Sequence, residues 1–345
     1  MAVTQYKCLN CGGAVVFDPQ SQSLVCKYCN STFTKADFEA AENKIDDKDD
    51  FVNETVSYVC SNCGAEIITT PTTAATNCCY CHTPVVLDRR LDGSQKPDFV
   101  LPFKLTKEQA LERFQQFFNS KKMLPPVFKE RIVLDRISGV YYPYWFTDSS
   151  VGADLDSIGT KIRSWRQGDY EYTETRTFQI QRNGKVDIDG LSEAAIENPD
   201  RVNLNSIAPF ADQMFEEFSM SYFSGFLAEK RVFTKNDVEP KMNKKIRDIS
   251  YAAVSRTISG YSAVNNTSFS TDVRNIVWKY ALLPVWVLTY NLDGKSNYIY
   301  AVNGQTGKIY GDLPTDKKKL NRITAIILII CVALGALIGG VIPLV

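Results

Sequence analysis

The sequence is nearly without histidine: His82 is the only one in 345 residues. Any mechanism that needs an imidazole base therefore has a single candidate. There is no excess of either charge, with 39 Lys+Arg against 39 Asp+Glu. The chain as a whole thus has no electrostatic bias toward nucleic acid or other polyanions. It lacks the GxxxxGK[ST] phosphate loop, the HExxH metal-hydrolase helix and the GxSxG nucleophile elbow, and no enzymatic activity is expected. Residues 1–8 have no basic head and no apolar core, so no secretory signal is expected. In a reducing compartment, paired cysteines read as metal ligands before they read as disulfides.

Cysteine is what the sequence has in quantity. Nine of its 10 cysteines precede residue 82. Cys8/Cys11 and Cys26/Cys29 form two CxxC pairs, and Cys60/Cys63 and Cys78/Cys81 two more, with fourteen residues between the pairs of each set. That is the spacing of a tetrahedral four-thiolate zinc site, in which two tight knuckles bring four sulfurs to one ion. A constant shift of 52 relates the sets: Tyr6, Cys8, Asn10, Cys11, Gly12, Cys26, Tyr28 and Cys29 map onto Tyr58, Cys60, Asn62, Cys63, Gly64, Cys78, Tyr80 and Cys81. The expectation is a duplicated zinc ribbon and two structural zinc ions. The alternative, two disulfide-stapled loops, requires an oxidising compartment. A slipped Cys79/His82 pair would keep the same spacing. The frame of the first ribbon favours Cys78 and Cys81, with His82 a surface residue beside the knuckle. Four protein thiolates leave no open position for water or substrate, so catalytic zinc is not expected.

Ribbons bind nucleic acid in some proteins and other proteins in more. Residues 1–100 hold 8 Lys+Arg and 13 Asp+Glu, a net of −5, whereas release of counterions from nucleic acid needs a basic surface. Nucleic acid is therefore disfavoured as the ribbons' partner, with Arg89 and Arg90 a small local exception. The organisation expected is ribbon 1 over 1–38, an acidic linker over 39–56, ribbon 2 over 57–92, a body over 97–312, a basic juxtamembrane segment over 313–322 and a transmembrane helix over 323–345.

That last expectation rests on residues 323–345, which carry no charge and follow Lys317, Lys318, Lys319 and Arg322. Roughly 20 apolar residues span a bilayer core. The basic flank places residues 1–322 in the cytoplasm of a single-pass cell-membrane protein. Gly335 and Gly339 form a GxxxG suited to pairing with another membrane helix.

The body shows both helical and strand periods. Thr106 and Gln109 make a capping box ahead of Ala110, Leu111, Phe114, Phe117 and Phe118 at helical spacing. Further helices are expected over about 207–229 and from Val238 to Ser259, the latter with Pro240 in its first turn. Asn183-Gly184 predicts a hairpin turn, as do Asp293-Gly294 and Asn303-Gly304. The segment from Val140 to Phe146 resembles that from Leu282 to Val287, which suggests two related halves. The fold class is α+β: two N-terminal ribbons, a largely antiparallel mixed body and one C-terminal transmembrane helix. Asp154 and Asp156 form a carboxylate pair at strand spacing, read as a solvated face.

The doubled Cys-x-Asn-Cys-Gly at Cys8–Gly12 and Cys60–Gly64, the Tyr142-Pro143-Tyr144-Trp145 segment, and Leu283-Pro284-Val285-Trp286 followed by Ala301 to Lys308 resemble bacterial membrane-anchored TFIIB-type double zinc-ribbon proteins. The resemblance runs from about residue 5 onward. The family includes an envelope-stress component that works with a phage-shock-protein-A-like protein, a second small membrane protein and a flotillin-like protein. It implies a non-enzymatic membrane adaptor that recruits such partners, with Cys8, Cys11, Cys26, Cys29, Cys60, Cys63, Cys78 and Cys81 as metal ligands. The other reading is a membrane-tethered nucleic-acid-binding regulator.

Overall fold

The computed structural model describes residues 8–13, 15–39, 56–59, 64–69, 96–129, 137–197, 202, 204–210, 214–223, 225–291, 297–311 and 313–339. The second cysteine set, with Cys79 and His82, lies outside these residues, as does the acidic stretch 40–55.

Two long strands form the spine. β7, Ile137–Gln167, runs antiparallel to β11, Ala263–Asn291, from the rung Leu288↔Ile137 to the rung Ala263↔Thr160. Near its start β7 is buried on both faces, from Val140 to Thr147. There the sequence is continuously apolar and aromatic, as a strand covered on both sides requires. Past Ser149 the pattern alternates, with Val151, Ala153 and Leu155 buried and Asp154 and Asp156 exposed. One face has become solvated.

The Asn183-Gly184 turn does not form. β8 is one strand, Tyr170–Ala194, paired with β7 throughout, and Asn183 and Gly184 sit opposite Asp154 and Ala153. The reversal occurs instead at Gly168, whose φ of +63° suits a residue without Cβ. The long partner strand overrides the local turn preference, because an early reversal would leave the rest of β7 unpaired on that side. Asn303-Gly304 does turn: β12, Asn297–Asn303, reverses into β13, Ile309–Gly311, with the Asn303 side chain accepting from the Gln305 and Thr306 N–H groups. β11 and β12 also form a hairpin, with Asp293-Gly294 outside the described residues.

The remaining strands are short. β4, Val56–Val59, and β5, Glu66–Thr69, are a hairpin from the second ribbon's sequence. β5 joins the body through β10, Leu227–Glu229, which lies parallel to β7. β6, Phe99–Val100, lies parallel to β11 and takes β9, Glu216–Glu217, on its other edge.

The expected capping box is present. The Thr106 hydroxyl accepts from Gln109 N–H and the Gln109 side chain accepts from Thr106 N–H, opening α2, Lys107–Ser120. An N-cap of this kind stabilises by about 1 kcal/mol. Ala110, Phe114 and Phe118 form its buried stripe, one turn apart. α3, Lys235–Ser255, starts three residues earlier than expected, because Asp237 accepts from both the N–H and the hydroxyl of Thr234. Pro240 therefore falls in the second turn. (A five-residue helix in the ribbon, Lys35–Glu39, is α1.)

Among the described residues, no long helix occupies 207–229. The chain there makes single turns at Leu204–Ile207 and Met220–Phe223 and the strands β9 and β10. Its aromatics are shared among different neighbours: Phe215 packs on Phe99 and Phe146, while Tyr222 and Phe226 pack on Phe17. A straight helix could not serve these separate sites, and Gly225 breaks the segment at φ +90°.

The segments around Trp145 and Trp286 interlock with each other's helices. Trp145 Nε1 donates to Phe233 O and Trp286 Nε1 to Leu105 O, each at 3.0 Å. Those carbonyls belong to the residues immediately before Thr234 and Thr106, the two helix caps. Each tryptophan thus anchors the helix entry of the other half. The short strands obey the same crossing, with Phe99 and Val100 opposite Ala281 and Leu282, and Leu227 and Ala228 opposite Val140 and Tyr141.

The C-terminal segment requires a correction. α4, Lys317–Gly339, is helical, but among the described residues no helix is long and apolar enough to cross a membrane. Four of the first six residues of α4 are cationic. The expected transmembrane helix, the juxtamembrane role for 313–322 and the single-pass cell-membrane placement with 1–322 in the cytoplasm are accordingly not supported. Gly335 and Gly339 lie where side chains are outside the description. At its start α4 is tied to the loop after α2: Asp316 N–H donates to Met123 O, and Lys319 Nζ to Lys122 O.

Candidate metal centre

The first four cysteines converge as their spacing requires. Cys8 and Cys11 sit on a turn before β1, Val15–Asp18, where Gly12 N–H donates to Cys8 O and Cys8 N–H to Gly13 O. Cys26 and Cys29 sit on a turn between β2, Ser23–Cys26, and β3, Thr32–Phe33, where Asn30 N–H donates to Cys26 O and Cys26 N–H to Ser31 O. The knuckles share one backbone device: the residue four after the first cysteine has positive φ, +73° at Gly12 and +57° at Asn30. Glycine and asparagine are the residues that tolerate it best. Gly64, the repeat counterpart of Gly12, has φ +70°. His82 is the repeat counterpart of Asn30.

The four Sγ atoms lie within 4.8 Å of one another. Cys8 to Cys29 is 3.4 Å and Cys11 to Cys26 is 3.6 Å. Sulfurs bonded at 2.3 Å around a tetrahedral ion are roughly 3.8 Å apart, so these positions fit one metal ion with little movement. Cys8 and Cys26 are buried against Val15, Phe17, Leu24, Phe33 and Phe38, while Cys11 and Cys29 face solvent.

Hydrogen bonds prepare the sulfurs for a cation. The Ser31 hydroxyl and backbone N–H hold the Cys29 thiol down to about 6, helped by Cys8 and Cys11. For Cys11 the Gly13 N–H pulls down, but the thiols of Cys29, Cys26 and Cys8 together push it up to about 12. Four thiols at one point cannot all ionise together unless a positive ion sits among them. Asn10 Nδ2 donates to Ser31 Oγ at 2.9 Å and fixes that hydroxyl beside Cys29. The sequence reading missed Ser31, although its signal was available: 52 residues on stands Thr83, another hydroxyl.

The ribbon is joined to the body through a common core. Phe17 packs on Tyr222 at 5.1 Å and Phe226 at 6.4 Å, and Phe226 stacks on Phe103 at 4.4 Å. Gln22 Nε2 donates to Phe103 O at 2.8 Å. Gly225 lies beside Val16 of the ribbon, and its φ of +90° is what favours glycine there. The seam leaves a cleft of about 420 Å³, with Lys104 and Glu216 in its wall. Glu216 accepts from the Tyr222 hydroxyl. Asp154 and Asp156 do not join any site: they point to solvent from β7, flanked by Ser270 and Ser268 on β11.

Compared with known proteins, the chain is 30% identical over 318 residues to an uncharacterized protein, YdjG, of Bacillus subtilis (strain 168), an alignment covering 92% of each chain. No family model matches the chain. No solved structure matches it.

Proposed function

This chain belongs to the family of YdjG, and on that premise we infer that it is a non-enzymatic adaptor in which metal shapes a protein-binding surface. The observation that carries this reading is the closed donor set: Cys8, Cys11, Cys26 and Cys29 supply four thiolates at one point. Soft sulfur donors in a tetrahedron select zinc, and four of them leave no position for a reacting water. By the repeat, Cys60, Cys63, Cys78 and Cys81 hold a second zinc ion. The acidic ribbons, with a net of −5 over residues 1–100, suit a protein partner better than a polyanion. The family resemblance points to a phage-shock-protein-A-like protein as that partner, within an envelope-stress response.

The test is size-exclusion chromatography of the full chain mixed with a purified phage-shock-protein-A-like protein, before and after strong chelation. Co-elution that disappears with the metal is expected. Separate elution of the metal-loaded chain would overturn the reading.

A further inference from the structure

The third strand of the spine stops before the other two. β11 ends its pairing at the rung Ala263↔Thr160, while β7 and β8 continue for seven more rungs, from Lys161↔Arg176 to Gln167↔Tyr170. At about 3.4 Å per residue this is a two-stranded arm of roughly 24 Å. Of its described side chains all but Glu174 are exposed. Such a ribbon has little core of its own.

Its two faces differ. Rungs alternate between faces, so Lys161, Arg163 and Trp165 share one face with Arg176, Glu174 and Tyr172. Trp165 and Tyr172 stack with ring centroids 5.7 Å apart and planes 14° apart, and they remain 41% and 44% exposed. The Arg163 guanidinium lies 5.8 Å from the Trp165 ring. Two rungs nearer the body, Lys161 lies over both Phe178 and Tyr261. Tyr261 reaches that place because Gly159 has no Cβ to obstruct it. Glu174 is the one anion on this face and is paired with Arg176 at 2.8 Å, leaving a positive excess. The opposite face carries Arg166 across from Glu171, with Ile162, Ser164, Thr173 and Thr175, and is balanced.

A cross-strand aromatic pair stabilises a hairpin by itself. That does not explain why rings at both ends of one face bracket its cations, while the other face has no ring and its one cation, Arg166, stands across from Glu171. We propose that this face is a binding platform for single-stranded nucleic acid: bases stack on Trp165–Tyr172 and on Phe178–Tyr261, and the intervening phosphates meet Lys161, Arg163 and Arg176. The pattern of planar rings interleaved with cations matches that ligand. An acidic peptide would satisfy the cations and leave the rings bare. A duplex would offer phosphates with its bases already stacked on one another.

The test is fluorescence anisotropy of labelled oligo-dT and oligo-U with the full metal-loaded chain over a range of salt. Trp165→Ala should weaken binding about tenfold, with Trp165→Phe restoring most of it. Lys161→Ala combined with Arg163→Ala should reduce the slope of log affinity against log salt by about 1.4. All three positions are exposed, so circular dichroism should be unchanged. Absence of binding at low salt, tighter binding of a duplex of the same length, equal displacement by polyglutamate, or binding indifferent to Trp165→Ala would each overturn the proposal.

Discussion

The two halves of the body use one plan for different ends. In each, a short strand leads through an apolar residue and a threonine cap into a helix, and a tryptophan of the opposite half holds that entry by its indole N–H. Around Trp286 the space is filled by Phe103 and Phe226, and through them by Phe17 of the ribbon. Around Trp145 it is filled by Tyr280 and Trp278, with Arg231 5.4 Å from the ring. One half continues inward to the four-cysteine cluster, while the other ends at a cationic surface, with the long hairpin of β7 and β8 running outward beneath α3. The anchor is thus the shared frame, and what distinguishes the halves is what is packed on it.

The largest test of this difference removes one donor from the four-cysteine cluster. Cys11→Ser takes away one of four donors, and structural zinc sites contribute on the order of 10 kcal/mol to folding. From the sequence, only the first ribbon should unfold. The shared core of Phe17, Tyr222 and Phe226 changes that expectation. Hydrogen exchange should show lost protection in β1 to β3 and in the segment around Tyr222 and Phe226. The hairpin under α3, where Ile246 packs on Val151 and Ile188, should stay protected. Equal loss in both places would mean the halves are one cooperative unit.

A smaller effect tests what they share. Trp286→Phe and Trp145→Phe each remove one N–H donor and leave Leu105 O or Phe233 O without it. Chemical denaturation should show a loss of about 1–3 kcal/mol for each. A cost in only one variant would show that the anchors are not equivalent.

The smallest effect is electrostatic and belongs to the α3 half. Partial burial pushes the Asp148 carboxyl up, but the Lys279 ammonium at 2.5 Å and the Gly190 N–H outweigh it and hold it below its ordinary value of 3.8. A carboxyl lowered by folding adds stability that is fully present above 3.8 and is lost as pH falls through its folded value. The pair is about one-third exposed, so screening limits it to about 1 kcal/mol or less. Asp148→Asn should lower the melting temperature slightly at neutral pH, and the gap to the native chain should close in acid below that value.

Local chemistry was legible where it acts over a few residues. The first ribbon's four cysteines and the cap at Thr106 could be read directly, because a knuckle or a capping box is complete within its own segment. The likeness in sequence around Trp145 and Trp286 could be seen too, but not what the two indoles do, since each bonds to a carbonyl far away in the chain. The misreadings at Asn183-Gly184 and over 207–229 have one cause. A turn preference or a helical spacing of aromatics is worth little beside a long strand partner or several separate packing sites.

By itself the sequence determined the four-cysteine cluster of the first ribbon, because cysteine spacing and knuckle geometry are short-range. It also determined the mixed α+β character of the body, through the periods of its apolar residues. Tertiary structure alone decided that the ribbon shares the body's core, that the two tryptophans cross to each other's helices, and that Trp165, Tyr172, Lys161 and Arg163 share one open face. Those outcomes depend on strand register and on where β11 stops, quantities set by pairing over a hundred residues of separation and written in no single segment.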